Sequence, residues 1–130
     1  MIEIEPIGVV ENRFKKPTDF EDIRQEVSKI VLKEEFEDGL YKIENNDYLK
    51  ILYYFDRSDG YKLVGKRRHG EERGVFASRS PHRPVGIGDT TVKLLEKEGR
   101  VLKVKGLDAI SGTPVLDIKP YAKGFDEPNK

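Results

Sequence analysis

The chain contains no cysteine and only one methionine among its 130 residues. Without cysteine the protein cannot form disulfides, zinc fingers, iron–sulfur clusters or a thiolate nucleophile. It also contains no run of about 18 apolar residues, so we expect no membrane-spanning segment. Met1 is followed by Ile-Glu-Ile-Glu rather than by a basic stretch and then an apolar one. We therefore expect no secretory signal and a cytoplasmic protein.

Net charge is absent as well, because 24 Lys and Arg residues balance 24 Asp and Glu residues. This balance argues against a strongly basic nucleic-acid binder and, with 36% hydrophobic residues, against disorder. The length fits one domain. However, residues 1–38 sum to −5, whereas residues 66–83 sum to +4. The basic stretch is either a solvated loop or a site for phosphate or another anion.

Several catalytic signatures are missing. Gly86-Ile87-Gly88 lacks a third glycine, and no GxxxxGK(S/T) phosphate loop is present. Ser80 and His82 are two residues apart with no GxSxG around a serine, which disfavours a serine hydrolase. The two loop histidines occur without HExxH, and we expect no metal site.

Short β-branched and aromatic runs bounded by glycine and proline predict strands more than helices. The candidate strands are 7–10, 48–55, 74–78 and 113–118, with 28–36 as a strand or a helical turn and 61–64 as the start of another strand. Alternating apolar residues and lysines in 90–95 and 100–105 predict a hairpin around 96–99. We predict a mainly β fold: a single closed or nearly closed β-barrel of about seven short strands with little helix, over residues 1–123, followed by a C-terminal tail, 124–130.

One stretch, residues 74–84, carries more polar groups than folding needs. It leads a predicted strand into a proline-framed loop that holds Arg79, His82 and Arg83. Arginine offers a planar fork of donors that matches carboxylate or phosphate. This loop is therefore a candidate anion site.

A second dense stretch covers residues 106–121. Its turn Ser111-Gly112-Thr113-Pro114 is predicted to present free backbone groups to a ligand. By the two-residue period of a strand, Asp117 shares a face with the apolar Val115. A carboxylate on an inward face must be paired or functional. Pairing with an arginine, or capping of a turn, is the alternative to a functional role.

The blocks GVFASRSPHRP, followed by IG, and SGTPVLDIKPY resemble the TrmO/TsaA-like family, as does the opening Pro6-Ile7-Gly8-Val9-Val10. The resemblance runs from residue 6 to residue 121. It implies a β-barrel methyltransferase that uses S-adenosyl-L-methionine, works as a homodimer and methylates N6 of threonylcarbamoyladenosine next to the anticodon of tRNA.

The resemblance also implies site residues. In the family, the arginine matched by Arg79 contacts the cofactor, and further contacts match Asp89 and the turn at 111–114. The expected cofactor-binding residues are Arg24, Gln25, Asp56, Arg57, Arg79, Asp89, Ser111, Gly112, Thr113 and Pro114. The DIKPY motif supplies the expected catalytic residues Asp117, Lys119 and Tyr121, with Asp117 as general base or its orienter and Tyr121 positioning the target base.

The basic stretch is expected to hold the phosphates of tRNA. The candidate tRNA-binding residues are Lys66, Arg67, Arg68, Arg73, His82 and Arg83.

This chain departs from the family pattern in two places. The usual Arg-Pro-Asn-Pro-Ile-Gly reads Arg-Pro-Val85-Gly86-Ile-Gly here, and the usual Asp of Asp-Gly-Thr-Pro is Ser111. The loss of an amide and a carboxylate leaves open a methyltransferase acting on a different base or a small molecule. A second alternative is a non-catalytic RNA-binding barrel that stacks bases on Tyr53, Tyr54 or Phe76.

Overall fold

The computed structural model describes residues 1–16, 20–67 and 70–128, and only the backbone of 20–22. Arg68, one of the candidate tRNA contacts, lies outside these residues. The strands in the described part are Gly8–Glu11 (β1), Val27–Leu32 (β2), Tyr48–Tyr54 (β3), Val64–Lys66 (β4), Glu72–Gly74 (β5), Ile87–Glu98 (β6), Val101–Lys105 (β7) and Pro114–Pro120 (β8). The α-helices are Phe20–Gln25 (α1) and Lys123–Asp126 (α2), and 3-10 turns cover Glu34–Leu40, Ile43–Asn45 and Val75–Ala77.

Six of the strands close into an antiparallel barrel in the order β1-β2-β7-β6-β3-β8, with β8 pairing back onto β1. This arrangement confirms the predicted mainly β barrel. The strands β4 and β5 form a separate two-stranded sheet. Closing the sheet removes the unpaired edges that an open antiparallel sheet would expose.

Strand β3 shows why these residues form a barrel wall. Burial alternates along its apolar run, so that Leu49, Ile51 and Tyr53 point inward and are at most 2% exposed. The inward residues of the other barrel strands meet them in one hydrophobic cluster. The interior is therefore filled by side chains, and a ligand has to bind at the rim or on the outer surface.

Two local predictions need correction. Residues 74–78 do not form a strand, because the Ser78 hydroxyl and N–H both donate to the Val75 carbonyl and close a 3-10 turn. Residues 28–36 divide between β2 and the turn that begins at Glu34. The hairpin of β6 and β7 is confirmed, although its turn is shorter than predicted and places Gly99 at φ +59°.

A bulge in β8 changes the direction of Asp117. Val115 pairs with Tyr53 and Asp117 with Leu52, so Leu116 is an extra residue in the ladder. Val115 is fully buried, yet Ile118 also packs against the core, and Asp117 points outward. The prediction that Asp117 shares the face of Val115 is wrong, because the inserted residue reverses the alternation.

The C-terminal segment returns to the barrel. Helix α2 follows β8, and the Asp126 carboxylate accepts a 2.6 Å hydrogen bond from the Ala122 N–H. Assignment of residues 124–130 to a separate tail stays a prediction. Within the part of the chain that the structure describes, no helix has the length and apolar character needed to cross a membrane.

Candidate functional site

The antiparallel order of the barrel gathers the predicted cofactor residues at one rim. Strand β3 ends there, and β6 and β8 begin there. We call this rim the motif end and define it by residues 54–57, 86–89 and 111–114. Two sequence blocks that are far apart along the chain thus meet at one place in the fold.

Arg79 is attached to the motif end through the main chain of Asp89. Its guanidinium donates a 2.6 Å hydrogen bond to the Asp89 carbonyl. Along β3 and β6, residue pairs that are hydrogen-bonded to each other alternate with pairs that are not, and Phe55 donates its N–H to the Gly86 carbonyl. Counting from this pair, Leu52 and Asp89 are not hydrogen-bonded to each other, so the N–H and carbonyl of Asp89 point away from β3. That carbonyl needs another partner, and the arginine supplies it while its side chain stays exposed.

Below the rim, the side chains of Tyr53, Thr90 and Asp108 form a hydrogen-bonded group of three oxygen atoms. The Tyr53 hydroxyl donates to Asp108 Oδ1 at 2.6 Å, Thr90 Oγ1 donates to the same atom at 2.5 Å, and the two hydroxyls are 2.8 Å apart. Burial, and then the negative charge of Asp108, raise the pKa of Tyr53 well above its usual range. Tyr53 is 2% exposed, so its proposed role in stacking a base is wrong.

The Tyr53–Thr90–Asp108 group was not among the sequence-predicted site residues. A signal for it exists within the second motif block, where Asp108 stands between the buried Leu107 and Ala109. A carboxylate between two core residues requires polar partners inside the protein.

The turn at 111–114 differs from its prediction. The N–H groups of Ser111, Gly112 and Thr113 donate to main-chain carbonyls of Phe14, Val10 and Ile110. Its N–H groups are therefore not free for a ligand. Gly112 has φ +92°, and a Cβ atom there would lie 2.6 Å from the Arg57 guanidinium. The Arg57 guanidinium thus lies against Gly112 in the space that a side chain would fill, so these two predicted cofactor residues are in direct proximity.

The remaining cofactor candidates are exposed around the same rim. Helix α1 carries Arg24 and Gln25, both exposed, and is anchored by Ile23, which is 1% exposed. It leads directly into β2, whose first residue, Val27, starts at the motif end of the barrel. Asp56 follows β3 and is exposed beside Arg57.

The three predicted catalytic residues lie on the outer surface of the barrel. Asp117 forms a 2.7 Å ion pair with Lys119 and raises the pKa of that lysine. Across β3, Asp117 and Asp89 occupy one row, two strand spacings or about 10 Å apart. Tyr121 lies beyond the far end of β8, where its hydroxyl donates to Glu127 at 3.2 Å. The structure therefore places Asp117 near Asp89 but separates Tyr121 from the motif end.

Two arginines of the basic stretch make contacts within the β4–β5 hairpin or just before it. The Arg67 guanidinium donates to the carbonyls of Arg73 and Lys62, and Arg73 pairs with Glu71 at 2.7 Å. Lys66 is exposed on β4.

The two tRNA candidates in the proline loop also make contacts within the chain. Arg83 Nη1 donates to the carbonyls of Ser78 and Ser80 and closes the Arg79 loop, while the ring of the exposed His82 lies 3.2 Å from the Asp59 carbonyl. The roles of these side chains in RNA binding stay predictions. Across the described ranges, no group of three or more His, Asp or Glu side chains is arranged to hold a metal.

Comparison with known proteins decides the family. The family model of the tRNA-methyltransferase O N-terminal domain matches residues 8–127. The chain belongs to the TrmO family. The crystal structure of TrmO from Pseudomonas aeruginosa superposes with a TM-score of 0.80 at 31% identity, over 98% of this chain and 59% of that one. The resemblance predicted from the two motif blocks is confirmed.

Two curated relatives have names that state a ligand or an activity. A probable S-adenosyl-L-methionine-binding protein of Archaeoglobus fulgidus is 45% identical over 97% of this chain and 36% of its own length. The human tRNA (adenine(37)-N6)-methyltransferase is 42% identical over 71% of this chain and 22% of its own. This chain thus spans about a third or less of these relatives.

Proposed function

We propose that this TrmO-family barrel binds S-adenosyl-L-methionine at the motif end and transfers its methyl group to N6 of an adenosine in tRNA. The observation that carries the proposal is that both family motif blocks converge at one rim, where Arg79 and Arg57 are exposed. The names of the relatives from Archaeoglobus fulgidus and human support this cofactor and this reaction.

The residues at the motif end fit such a cofactor. Arg79 and Arg57 offer forked donors for its carboxylate. Among the described residues, Oδ1 of Asp89 is buried and accepts no hydrogen bond, so this carboxylate keeps an unsatisfied acceptor beside the rim. The filled barrel interior excludes binding inside the barrel and leaves the rim as the binding surface.

Catalysis in this arrangement depends mainly on positioning. Bound S-adenosyl-L-methionine supplies an activated methyl group on a sulfonium. An acceptor nitrogen between a purine and a carbonyl must lose its proton, which calls for a general base. Asp117 is our candidate for the base or its orienter, because it is the motif carboxylate in the same row as Asp89. Its ion pair with Lys119 would have to loosen when substrate binds.

The preferred acceptor is threonylcarbamoyladenosine next to the anticodon, as the family resemblance implies. Lys66 and the exposed His82 then lie on the surface that approaches the tRNA backbone. A Lys66→Glu variant should raise the KM for tRNA and flatten its salt dependence, while KM for the cofactor stays unchanged. An unaltered KM for tRNA would remove this lysine from the interface.

We also propose a homodimer in the cytoplasm. Large apolar side chains are exposed in the segments that contain β4 and β5 and that flank them along the chain, and exposed apolar residues are typical of an interface. They are Tyr54, Tyr61, Leu63, Val64, Phe76, Val85 and Ile87. Light scattering after gel filtration tests the dimer, and a monomer at micromolar concentration would contradict it.

The decisive experiment has two stages. Calorimetry with S-adenosyl-L-methionine should show binding by the wild type and a loss of about tenfold or more in Arg79→Ala, with Lys97→Ala, near the far end of β6, as the control. Mass analysis of tRNA nucleosides after incubation then identifies the methylated base. A chain that does not bind the cofactor is not a methyltransferase of this kind.

A non-catalytic RNA-binding barrel is the second candidate. Phe76 is 77% exposed and Tyr54 is 43% exposed, so both rings are accessible for stacking with bases. This reading predicts RNA binding without any affinity for S-adenosyl-L-methionine. The calorimetric stage therefore separates the two candidates.

A further inference from the structure

We infer that Lys50 is a positioning residue of the motif end, linking helix α2 to the main-chain carbonyl that holds Arg79. The inference rests on the proposed function for its effect on cofactor affinity. Its structural part, the link itself, is independent of that function.

The link is a continuous set of contacts. Lys50 Nζ lies 3.2 Å from Asp89 Oδ2 and 3.5 Å from Asp126 Oδ1. The same Asp89 accepts the Arg79 guanidinium on its main-chain oxygen. Side chain and main chain of one residue thus connect the outer face of the barrel to the exposed arginine.

Lys50 is the cation that offsets the repulsion between the carboxylates of Asp89 and Asp126. From the two distances, the carboxylate oxygens of Asp89 and Asp126 lie at most about 7 Å apart. Both carboxylates border the lysine, whose side chain is only 23% exposed, and that of Asp126 is 17% exposed. Without the ammonium group the two acids would repel each other, with only Asp89, at 44% exposed, open to screening by water. The hydrogen bond to Asp89 raises the pKa of Lys50, which further favours its charged form.

Helix α2 depends on the same lysine. It has four residues and buries none of its side chains, and Phe125 is 92% exposed. So short a helix does not persist without tertiary contacts. Asp126 supplies one, to Lys50, and it also accepts a local hydrogen bond from the Ala122 N–H at the start of the helix. Loss of Lys50 should release α2 and also remove the restraint on Asp89.

The outward lysines nearby do not substitute for it. Lys119 lies opposite Lys50 on the neighbouring strand β8, but it forms its ion pair with Asp117. Lys103 is a matched control on β7, because it too pairs with two carboxylates, Glu96 and Glu98. It has no contact with the motif residues among those that the structure records.

The test compares Lys50→Met, Lys50→Arg and Asp126→Asn with Lys103→Met in the full chain. Hydrogen exchange followed by mass spectrometry, without cofactor, should rise in peptides covering 78–91 for Lys50→Met. Lys50→Arg should restore the wild-type exchange, and Lys103→Met should leave these peptides unchanged. Unchanged exchange at 78–91 in Lys50→Met overturns the proposal. If Lys50→Met does not fold, Lys50→Gln decides, with the same increase expected at 78–91. Asp126→Asn keeps the Lys50–Asp89 pair and should raise exchange only in the peptides of α2.

A double-mutant cycle tests whether Lys50 acts through Arg79. The Kd for S-adenosyl-L-methionine should rise about tenfold in Lys50→Met, but less than about twofold when Lys50→Met is added to Arg79→Ala. Multiplicative effects would overturn the route through Arg79. If the wild type itself does not bind the cofactor, the proposed function fails, and the exchange experiment alone decides the role of Lys50.

Discussion

A Cβ atom on Gly88 would overlap the aromatic ring of Tyr53 and approach the Phe55 ring to 3.0 Å. Gly88 pairs directly with Tyr53 across β3 and β6, and the Tyr53 ring folds over the glycine. Phe55 packs its ring edge-on against Tyr53 with centroids 5.3 Å apart. Glycine at this position therefore allows the Tyr53 hydroxyl to reach Thr90 and Asp108.

The first prediction is that Gly88→Ala lowers the free energy of unfolding by about 1–3 kcal/mol, because the added methyl overpacks the core. Urea denaturation measures it. Gly39→Ala is the matched control, since nothing lies within 4 Å of a Cβ there, and its effect should stay within about 0.5 kcal/mol. Equal effects of the two substitutions would contradict this reading of Gly88.

The second prediction concerns alkaline pH. Because the folded state raises the pKa of Tyr53, its neutral form adds stability that is complete below pH 10, the ordinary tyrosine value. That contribution is lost as the pH rises above 10, where the unfolded chain ionises first. The unfolding free energy of Tyr53→Phe should therefore fall less steeply above pH 10 than that of the wild type. Tyr41→Phe, at a residue 76% exposed, should keep the wild-type slope, and identical slopes for all three proteins would refute the assignment.

The third prediction separates the effect of backbone strain at Gly112 from the effect of moving the Arg57 guanidinium. Gly112 and Gly99 both have positive φ, and alanine at either strains the backbone by about 1–2 kcal/mol. Only at Gly112 would the new Cβ also displace the Arg57 guanidinium. We expect Gly112→Ala to raise the Kd for S-adenosyl-L-methionine and Gly99→Ala to leave it unchanged, as measured by calorimetry. A similar Kd for both variants would exclude Arg57 from the cofactor site.

The fourth prediction tests Asp117. If it is the base, Asp117→Asn should lower kcat about 100-fold or more and leave the Kd for the cofactor intact. Stability should change little, since the Asp117–Lys119 pair is about half exposed. Single-turnover methylation of tRNA measures the rate, with the exposed Asp38→Asn as control. Wild-type turnover in Asp117→Asn would transfer the role of base to another group.

Much of the fold could be predicted from local patterns. The apolar and aromatic run at 48–55 and the alternation in the 90–105 hairpin predict strands, and these strands appear as β3, β6 and β7. The region around 74–78 could not be predicted in this way. Its β-branched and aromatic residues are typical of a strand, but the Ser78 hydroxyl and N–H favour a 3-10 turn at Val75.

The candidate site was only half predictable for a similar reason. Arg79 could be proposed from its proline-framed loop, because arginine donors match an anion, whereas Arg57 was proposed only from the family resemblance. Lys50 was missed, since a lysine within an amphipathic strand is ordinary, and its partner Asp126 is 76 positions away along the chain. Nothing local distinguishes such a lysine from a solvated one.

By itself, the sequence determined that cysteine chemistry is absent, that the runs now seen as β3, β6 and β7 would form strands, and which family the motifs indicate. The tertiary structure alone decided that Asp117 points outward, that the N–H groups of the 111–113 turn are already bonded, and that Tyr53, Thr90 and Asp108 meet. The physical reason is that strand register and loop closure are set by pairing between distant segments. A single bulge residue, Leu116, reverses every side chain after it, and no two-residue pattern in β8 reveals that shift.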